Sequence, residues 1–159
     1  MVELIVVMVL IGVLGTIAAG RFFERGTFDT VAWSEQVKAS LRYAHKVAVA
    51  QNTPVYVHIA ADRVAVCLDS DVACSNDAVR VRAPGGANSG SAATRAACGS
   101  GAWMCEGRPN GVAMGQAGTV AFDGLGRARM LNGFGGRLDI KGDGIVKTIA
   151  IEGETGYVD

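Results

Sequence analysis

Two arginines at strand spacing are the residues best suited to bind an anion. The segment Gly126-Arg127-Ala128-Arg129 places both guanidinium groups on one face, because side chains two residues apart in a strand point to the same side. We expect Arg137 and Lys141, in the next predicted strand or turn, to join that face. Such a cluster grips phosphates without reading bases. A turn at 123–126 followed by a solvent-facing strand explains the same residues, and both interpretations stay open.

Motifs for catalysis are absent from the sequence, which has no G-x-S-x-G, no H-E-x-x-H and no P-loop. His45 falls on a predicted helix and His58 on a predicted strand, where a packed or surface histidine is the simplest interpretation. Asp139 and Asp143 flank Lys141, and two carboxylates with a cation between them favour a hairpin turn over a calcium loop. We therefore expect no enzyme, no metal, no cofactor and no small-molecule substrate.

The composition excludes several classes of protein. A chain of 159 residues, half of them hydrophobic and 19% charged, predicts one folded domain and not a disordered chain. Fifteen basic residues balance fifteen acidic ones, which argues against a protein-wide basic field for nucleic acid but not against a local patch. The 22 glycines follow no three-residue period, so collagen is excluded.

The first twenty residues are almost wholly apolar. Residues 4–20 read LIVVMVLIGVLGTIAAG, and a helix of about 30 Å over 1–20 predicts a transmembrane or filament-core segment. A secretory signal peptide is disfavoured, because the acid Glu3 stands where a basic start is needed. A carboxylate near the end of a membrane helix is costly unless it is paired or lies at the interface. Glu3 therefore either sits among headgroups at the helix N-terminus or serves a partner.

Residues 21–52 are predicted to form a junction and an amphipathic helix, with the helix over 30–51. We expect a bend or break near Gly26 and a cap at Thr27 or Asp29. Pro54 and the residues before it end the helix. Its apolar stripe, the face expected to pack on a sheet, has the three- and four-residue spacing of one helix face in Trp33, Val37, Leu41, Ala44 and Ala48.

Residues 53–159 are predicted to form a globular β domain. Alternating patterns predict strands at 55–59, 64–68, 79–83, 118–122, 127–131, 137–141 and 145–152. The Asp-Gly pairs at 123–124 and 143–144 are hairpin signals. The glycine-rich stretch 84–101 predicts a mobile surface loop. A helix followed by short strands predicts an α+β fold with antiparallel sheet packed against the helix.

The N-terminal segment resembles that of type IV pilins and type II secretion pseudopilins. Residues 1–14, MVELIVVMVLIGVL, share with that family the acid position, the length of the apolar run and the Ile-Gly-Val-Leu step. Further segments are similar to the GspH/FimT group of minor pilins: RYAHKVA at 42–48, VAFDGLGRA at 120–128, and the ending at 149–158. The Arg-Phe-Phe junction and the Arg-Tyr-Ala helix also resemble a minor pilin of mannose-sensitive haemagglutinin pili.

The resemblance implies a pilin-like fold, in which a long N-terminal helix packs on antiparallel sheet. It implies a minor pilin or pseudopilin, anchored in the inner membrane by a single pass with its globular domain in the periplasm. Such a subunit assembles into a type IV pilus or a type II secretion pseudopilus, an extracellular or periplasmic filament. Its partners are other pilin subunits, the inner membrane and the prepilin peptidase, whose cleavage and methylation site is expected just before Met1. Glu3 matches the glutamate thought to pair with a neighbour's N-terminal amine.

The resemblance also implies an alternative function. In the FimT branch, which serves DNA uptake, a G-R-x-R segment is the proposed contact with DNA, and Gly126, Arg127 and Arg129 match it. A DNA-binding minor pilin is therefore the second hypothesis.

Four cysteines form two pairs seven residues apart, Cys67 with Cys74 and Cys98 with Cys105. For a domain outside the inner membrane, disulfides are the expected state. Local pairing is favoured, and each short closed loop would contribute about 2–3 kcal/mol. Four cysteines allow three connectivities, and the sequence does not choose among them. A zinc site of four cysteines is the alternative.

Overall fold

The computed structural model describes the backbone of residues 2–23, 25–99 and 101–159, and side chains outside 16–25. Two helices open the chain, α1 (Val2–Phe23) and α2 (Arg25–Gln51). α2 contains the predicted amphipathic helix and ends where the sequence predicts, before Pro54. The single long N-terminal helix stays a prediction, since residue 24 lies outside the described residues.

The predicted start of the amphipathic helix is wrong. Gly26, Thr27 and Asp29 all lie inside α2, so neither a break nor a cap occurs at them. Thr27 instead uses its hydroxyl for a contact with a distant part of the chain, donating from Oγ1 to Oδ2 of Asp143 at 2.8 Å. The hydroxyl of Thr27 thus binds a residue distant in the sequence and does not cap the helix, as its residue type had suggested.

Eight strands within the described residues form two antiparallel sheets. The strands of the first sheet are β1 (Val55–Ile59), β2 (Arg63–Cys67), β3 (Cys105–Gly107), β5 (Gly118–Phe122) and β6 (Ala128–Leu131). Those of the second sheet are β4 (Ala113–Met114), β7 (Arg137–Gly142) and β8 (Ile145–Ala150). The spatial orders are β3-β2-β1-β5-β6 and β4-β7-β8. The predicted α+β class with antiparallel sheets is therefore confirmed.

The core lies between α2 and the two sheets. Every member of the predicted stripe is at most 1% exposed, namely Trp33, Val37, Leu41, Ala44 and Ala48. They meet inward-facing residues of both sheets, among them Val57, Phe122 and Ile149. The indole N–H of Trp33 donates to the sulfur of Met114 at 3.4 Å, which ties the helix to β4. The prediction that this face packs on sheet is confirmed.

The turn between β7 and β8 is seated on the first residues of α2. A Cβ added to Gly26 would lie 2.9 Å from the Cβ of Asp143, and one added to Gly142 would lie 2.2 Å from Oγ1 of Thr30. Together with the bond from Thr27 to Asp143, these approaches fix the turn against the helix. The Asp-Gly hairpin predicted at 143–144 is confirmed, because the two residues join β7 to β8.

Two predictions for 79–101 are wrong. Residues 79–83 form no regular strand: a 3₁₀ helix (Asp77–Val79) is followed by two isolated bridges, from Cys67 to Arg80 and from Arg82 to Trp103. The stretch expected to be a loop contains the helix α3 (Ala92–Cys98). Ser91 caps α3 by accepting from the backbone N–H of Thr94 at 3.1 Å. A strong N-cap and a buried face outweigh the glycine- and serine-rich composition.

A further correction concerns the membrane. In the part of the chain that the structure describes, no helix is both long enough and apolar enough to cross a bilayer. Residues 2–15, the described side chains of α1, fall short of the ~20 residues that a crossing requires. The prediction of a single-pass inner-membrane protein with a periplasmic domain is therefore wrong.

Candidate functional site

α1 carries the largest apolar surface among the described residues. Within residues 2–15, its large hydrophobic side chains are at least half exposed, from 50% at Val6 and Val7 to 77% at Val2. They point in every direction around the helix: Val2, Leu4, Ile5, Val6, Val7, Met8, Val9, Leu10, Ile11, Val13 and Leu14. A helix that is apolar all round is normally buried on all sides. Such a surface marks an interaction site, since monomers rarely expose a large apolar patch.

Glu3 is the charged residue of this surface. It lies in the first turn of α1, where the positive end of the helix dipole favours a carboxylate, and it is exposed. No other charge occurs between Val2 and Gly15. Because Glu3 and the apolar side chains share one helix end, any partner that covers the helix must also accommodate the carboxylate. The role of Glu3 in charge pairing between subunits stays a prediction.

The two predicted arginines lie together at the edge of the first sheet. Arg129 belongs to β6, which pairs with β5 on one side. Arg127 directly precedes β6, and both side chains are exposed. They line a cleft of about 370 Å³ with Ala128, Gly153 and two acids, Asp123 and Glu154. The cleft therefore carries both signs of charge, which weakens its attraction for a bare phosphate.

Asp123 organises the turn that carries these arginines. Its Oδ1 accepts the backbone N–H groups of Leu125 and Arg127, each at 2.9 Å, and its Oδ2 lies 3.2 Å from Nε of Arg127. The backbone N–H of Arg127 contributes most to lowering the pKa of Asp123, helped by that of Leu125 and by the guanidinium charge. Asp123 thus remains ionised and partly neutralises Arg127.

Arg137 and Lys141 do not join this face, contrary to expectation. Both lie on β7, in the second sheet, and Asp139 lies between them in the same strand. Asp139 accepts a hydrogen bond from Thr148 at 2.7 Å. After β6 the chain crosses to the other sheet, and sequence spacing alone does not reveal that change of partner.

His45 contacts the turn that carries the two arginines. Its Nε2 lies 3.1 Å from the carbonyl oxygen of Gly126, and its ring packs edge-on against Phe122 with the centroids 5.4 Å apart. Since a carbonyl only accepts, Nε2 carries the proton. The predicted packed role of this histidine is what the contacts describe.

The four cysteines form the two local disulfides, Cys67–Cys74 and Cys98–Cys105, with Cα separations of 6.2 and 5.8 Å. Together with Ala65 and Trp103 they make a second, smaller core on the outer side of the first sheet. Arg80 covers this cluster, its guanidinium lying 4.5 Å from the ring centroid of Trp103. Both bridges fasten connecting segments to the sheet, so their role here is structural.

His58 is buried in a hydrogen-bonded chain beside this cluster. Nε2 donates to the carbonyl of Asp69 at 3.1 Å, and Nδ1 accepts from the hydroxyl of Thr119 at 3.0 Å. Burial lowers the pKa of His58, while the Asp69 carbonyl and the charges of Asp71 and Asp69 partly oppose the shift. One ring nitrogen of His58 lies within 4.8 Å of the sulfurs of Cys67 and Cys74. The disulfide leaves these sulfurs no thiolate with which to bind a metal.

Sequence reasoning missed the buried carboxylate of Glu106. It accepts from the backbone N–H of Ser89 at 2.8 Å and from the hydroxyl of Thr94 at 2.9 Å, with a further bond from the Ser89 hydroxyl. These bonds hold the stretch 84–101 against β3. The clue in the sequence is the cluster of small hydroxyl residues at 89–94, which can satisfy a carboxylate without a cation.

Sequence reasoning also missed an apolar cleft of about 370 Å³ at one end of the first sheet. Its walls include residues from four separate connections, so no continuous sequence motif predicts the cleft. The structure thus brings the cysteines together and the arginines together, and places Glu3 on a different element. No family model matches the chain, and no curated protein or solved structure shows a significant match to it.

Proposed function

We propose that the protein is a filament subunit, a minor pilin or pseudopilin that assembles with other such subunits into a type IV pilus or type II secretion pseudopilus. The single observation that carries the proposal is the all-round apolar exposure of α1. Neighbouring copies of the same helix provide a surface of matching chemistry on every side. The N-terminal resemblance supports the same role and suggests the prepilin peptidase as the processing partner.

The energetics favour several neighbours over one. Eleven large apolar side chains at half exposure or more represent roughly 10 kcal/mol of burial if each gains about 1 kcal/mol. Association costs an estimated 4–15 kcal/mol. One partner helix covers only one stripe, so a pair gains too little. Surrounding each α1 with several copies recovers most of the burial, which favours a filament over a dimer.

Glu3 has a defined task in such a bundle. A carboxylate carried among apolar helices is destabilising unless it is paired. In the family that the N-terminal segment resembles, the partner is the N-terminal amine of a neighbouring subunit, which has the opposite charge. Pairing Glu3 with that amine would also set the stagger between adjacent subunits.

The test compares two Val→Lys variants of similar exposure. Val7 on α1 is 50% exposed, and Val146 on β8 is 54% exposed. We expect Val7→Lys to abolish sedimentable filaments, because it places a charge in the bundle, while Val146→Lys assembles like the parent chain. Electron microscopy and sedimentation of the full chain provide the measurement. Normal assembly of Val7→Lys, or a parent chain that stays monomeric, would overturn the proposal.

DNA binding is the second candidate, and the exposure of both arginine side chains at the β6 side of the first sheet favours it. Among the described residues, Arg129 has no acidic group within 4.0 Å. Arg127→Ala combined with Arg129→Ala should lower the affinity for duplex DNA and reduce the slope of log affinity against log salt by about 2. Arg137→Ala, an exposed arginine of the other sheet, is the control. Unchanged affinity of the double variant at low salt excludes this function.

A further inference from the structure

We infer that Leu125 of one copy inserts into the apolar cleft of the next copy, so that the globular domains dock head to tail. This inference rests on the proposed filament function and specifies its second contact surface. The occupant is a second copy of this chain. Leu125 and the cleft are the projection and the recess of one interface.

The cleft is shaped for an aliphatic side chain. Its volume is about 370 Å³, whereas a buried cavity of about 150 Å³ already holds benzene. Its walls are mostly apolar: Ile59, Ala60, Ala61, Val72, Ala117, Gly118, Thr119 and Asn132. Its two polar side chains bind each other, since the amide of Asn132 donates to the hydroxyl of Thr119 at 3.0 Å. A leucine can therefore enter without stripping a polar group of its partner.

Leu125 is a projection held in place before any partner arrives. It is 77% exposed at the tip of the turn between β5 and β6. Asp123 binds the N–H groups on both sides of the tip, and His45 binds the carbonyl of Gly126. Because the turn is already ordered, docking loses little conformational entropy.

The projection and the cleft lie at opposite ends of the same strand. β5 begins at Gly118, in the cleft wall, and ends at Phe122, directly before the turn. Five residues span about 17 Å, so a copy cannot fill its own cleft. Two different patches in contact make a heterologous interface, which repeats from copy to copy and yields a ring or a helical filament.

The charges around the two patches are complementary. Arg127 and Arg129 follow Leu125 closely, and Arg129 has no ion-pair partner in the part of the chain that the structure describes. Exposed acids adjoin the cleft walls: Asp62 follows Ala61, and Asp71 precedes Val72. Hydrogen bonds from Ser75 lower the pKa of Asp71, so it remains ionised.

Other charges also lie near both patches. Arg63 and Arg108, near the cleft, donate to backbone carbonyls, and Asp123 at the turn pairs with Arg127. Glu154 lines the arginine cleft beside the turn and remains a nearby acid. Docking therefore brings the guanidinium of Arg129, which has no ion-pair partner among the described residues, toward the exposed carboxylates of Asp62 and Asp71 of the next copy.

Cysteine pairing between separately purified variants tests the inference. Copies carrying Leu125→Cys are mixed with copies carrying Ala117→Cys under assembly conditions, and a short bismaleimide joins neighbouring thiols. The native cysteines are protected in disulfides. Val146→Cys, on the second sheet, replaces Ala117→Cys in the control. We expect the mixed pair to cross-link at least about tenfold more than the control or than either variant alone, as burial of one leucine predicts.

Each outcome separates the interface from the filament function. Equal cross-linking in all mixtures, or a preference of Leu125→Cys for itself, overturns the head-to-tail contact. If assembly still depends on Val7 while the mixed pair fails to cross-link, the filament function stands and the contact is excluded. If the mixed pair cross-links selectively without filaments, the contact stands and the filament function fails.

Discussion

Replacing Gly107 by alanine tests how α3 is packed against the first sheet. A Cβ at this position would lie 2.3 Å from the carbonyl oxygen of Ala93 and 2.7 Å from the backbone nitrogen of Thr94. Both atoms belong to α3, whose cap at Ser91 and disulfide at Cys98 restrain it from moving away. The backbone must therefore shift, and the shift also weakens the bond from the Gly107 N–H to the hydroxyl of Thr94.

We expect Gly107→Ala to lower the free energy of unfolding by about 3 kcal/mol, the upper part of the range for overpacking. With a urea m-value of about 2 kcal/mol/M, the midpoint falls by about 1.5 M. Urea unfolding of the full chain, followed both by circular dichroism and by tryptophan fluorescence, provides the measurement. Coincidence of the two curves checks that the transition is two-state.

Gly85→Ala is the matched control. It lies in the same region, has nothing within 4 Å of its added Cβ, and does not need a positive φ. Alanine there should be neutral or stabilise by up to about 1 kcal/mol, since it reduces the entropy of the unfolded chain. A Gly107→Ala midpoint equal to that of the control would refute the close packing of α3 on β3.

Three further predictions concern stability. His58→Gln should make the free energy of unfolding less dependent on pH below about pH 6.5. Because the pKa of His58 is lowered in the folded state, the unfolded chain binds more protons, and the parent chain loses stability as the pH falls. A parent stability that is constant from pH 7 to 5 contradicts this. Cys98→Ser with Cys105→Ser should cost about 2–3 kcal/mol in urea unfolding, and an unchanged midpoint would show that the bridge adds nothing. Leu41→Ala, fully buried, should cost about 2–5 kcal/mol by thermal unfolding, whereas the exposed Lys46→Ala should change little.

Regular elements with one buried face could be predicted from the sequence. The stripe from Trp33 to Ala48 repeats at helical spacing because one face of α2 meets two sheets. β1 and β5 match the predicted 55–59 and 118–122, since they are central, neighbouring strands with an alternating pattern. In these elements local preference and burial agree, which is the condition under which periodicity is informative.

Elements that depend on distant contacts could not be predicted. β3 and β4 have three and two residues, too few for a period, and exist because a neighbouring strand pairs with them. α3 is held by Glu106 and a disulfide, neither of which is local. The chain passes from the first sheet to the second between Leu131 and Arg137, so sequence spacing wrongly grouped Arg137 with Arg129. The apolar cleft is lined by short segments from four connections, and only the assembled sheet brings them together.

The seat of the β7–β8 turn on α2 has a mechanical consequence. A pull on α1 that lifts the first turns of α2 meets Asp143 before it reaches the apolar core. The bond from Thr27 and the close approach of Gly142 to Thr30 carry that load first. Because hydrogen bonds and short-range contacts break over a small extension, these contacts would be the first to resist the pull and the first to break. Tension applied through the helix would therefore open the contact between the β7–β8 turn and α2, while the two disulfides keep their segments fastened to the first sheet.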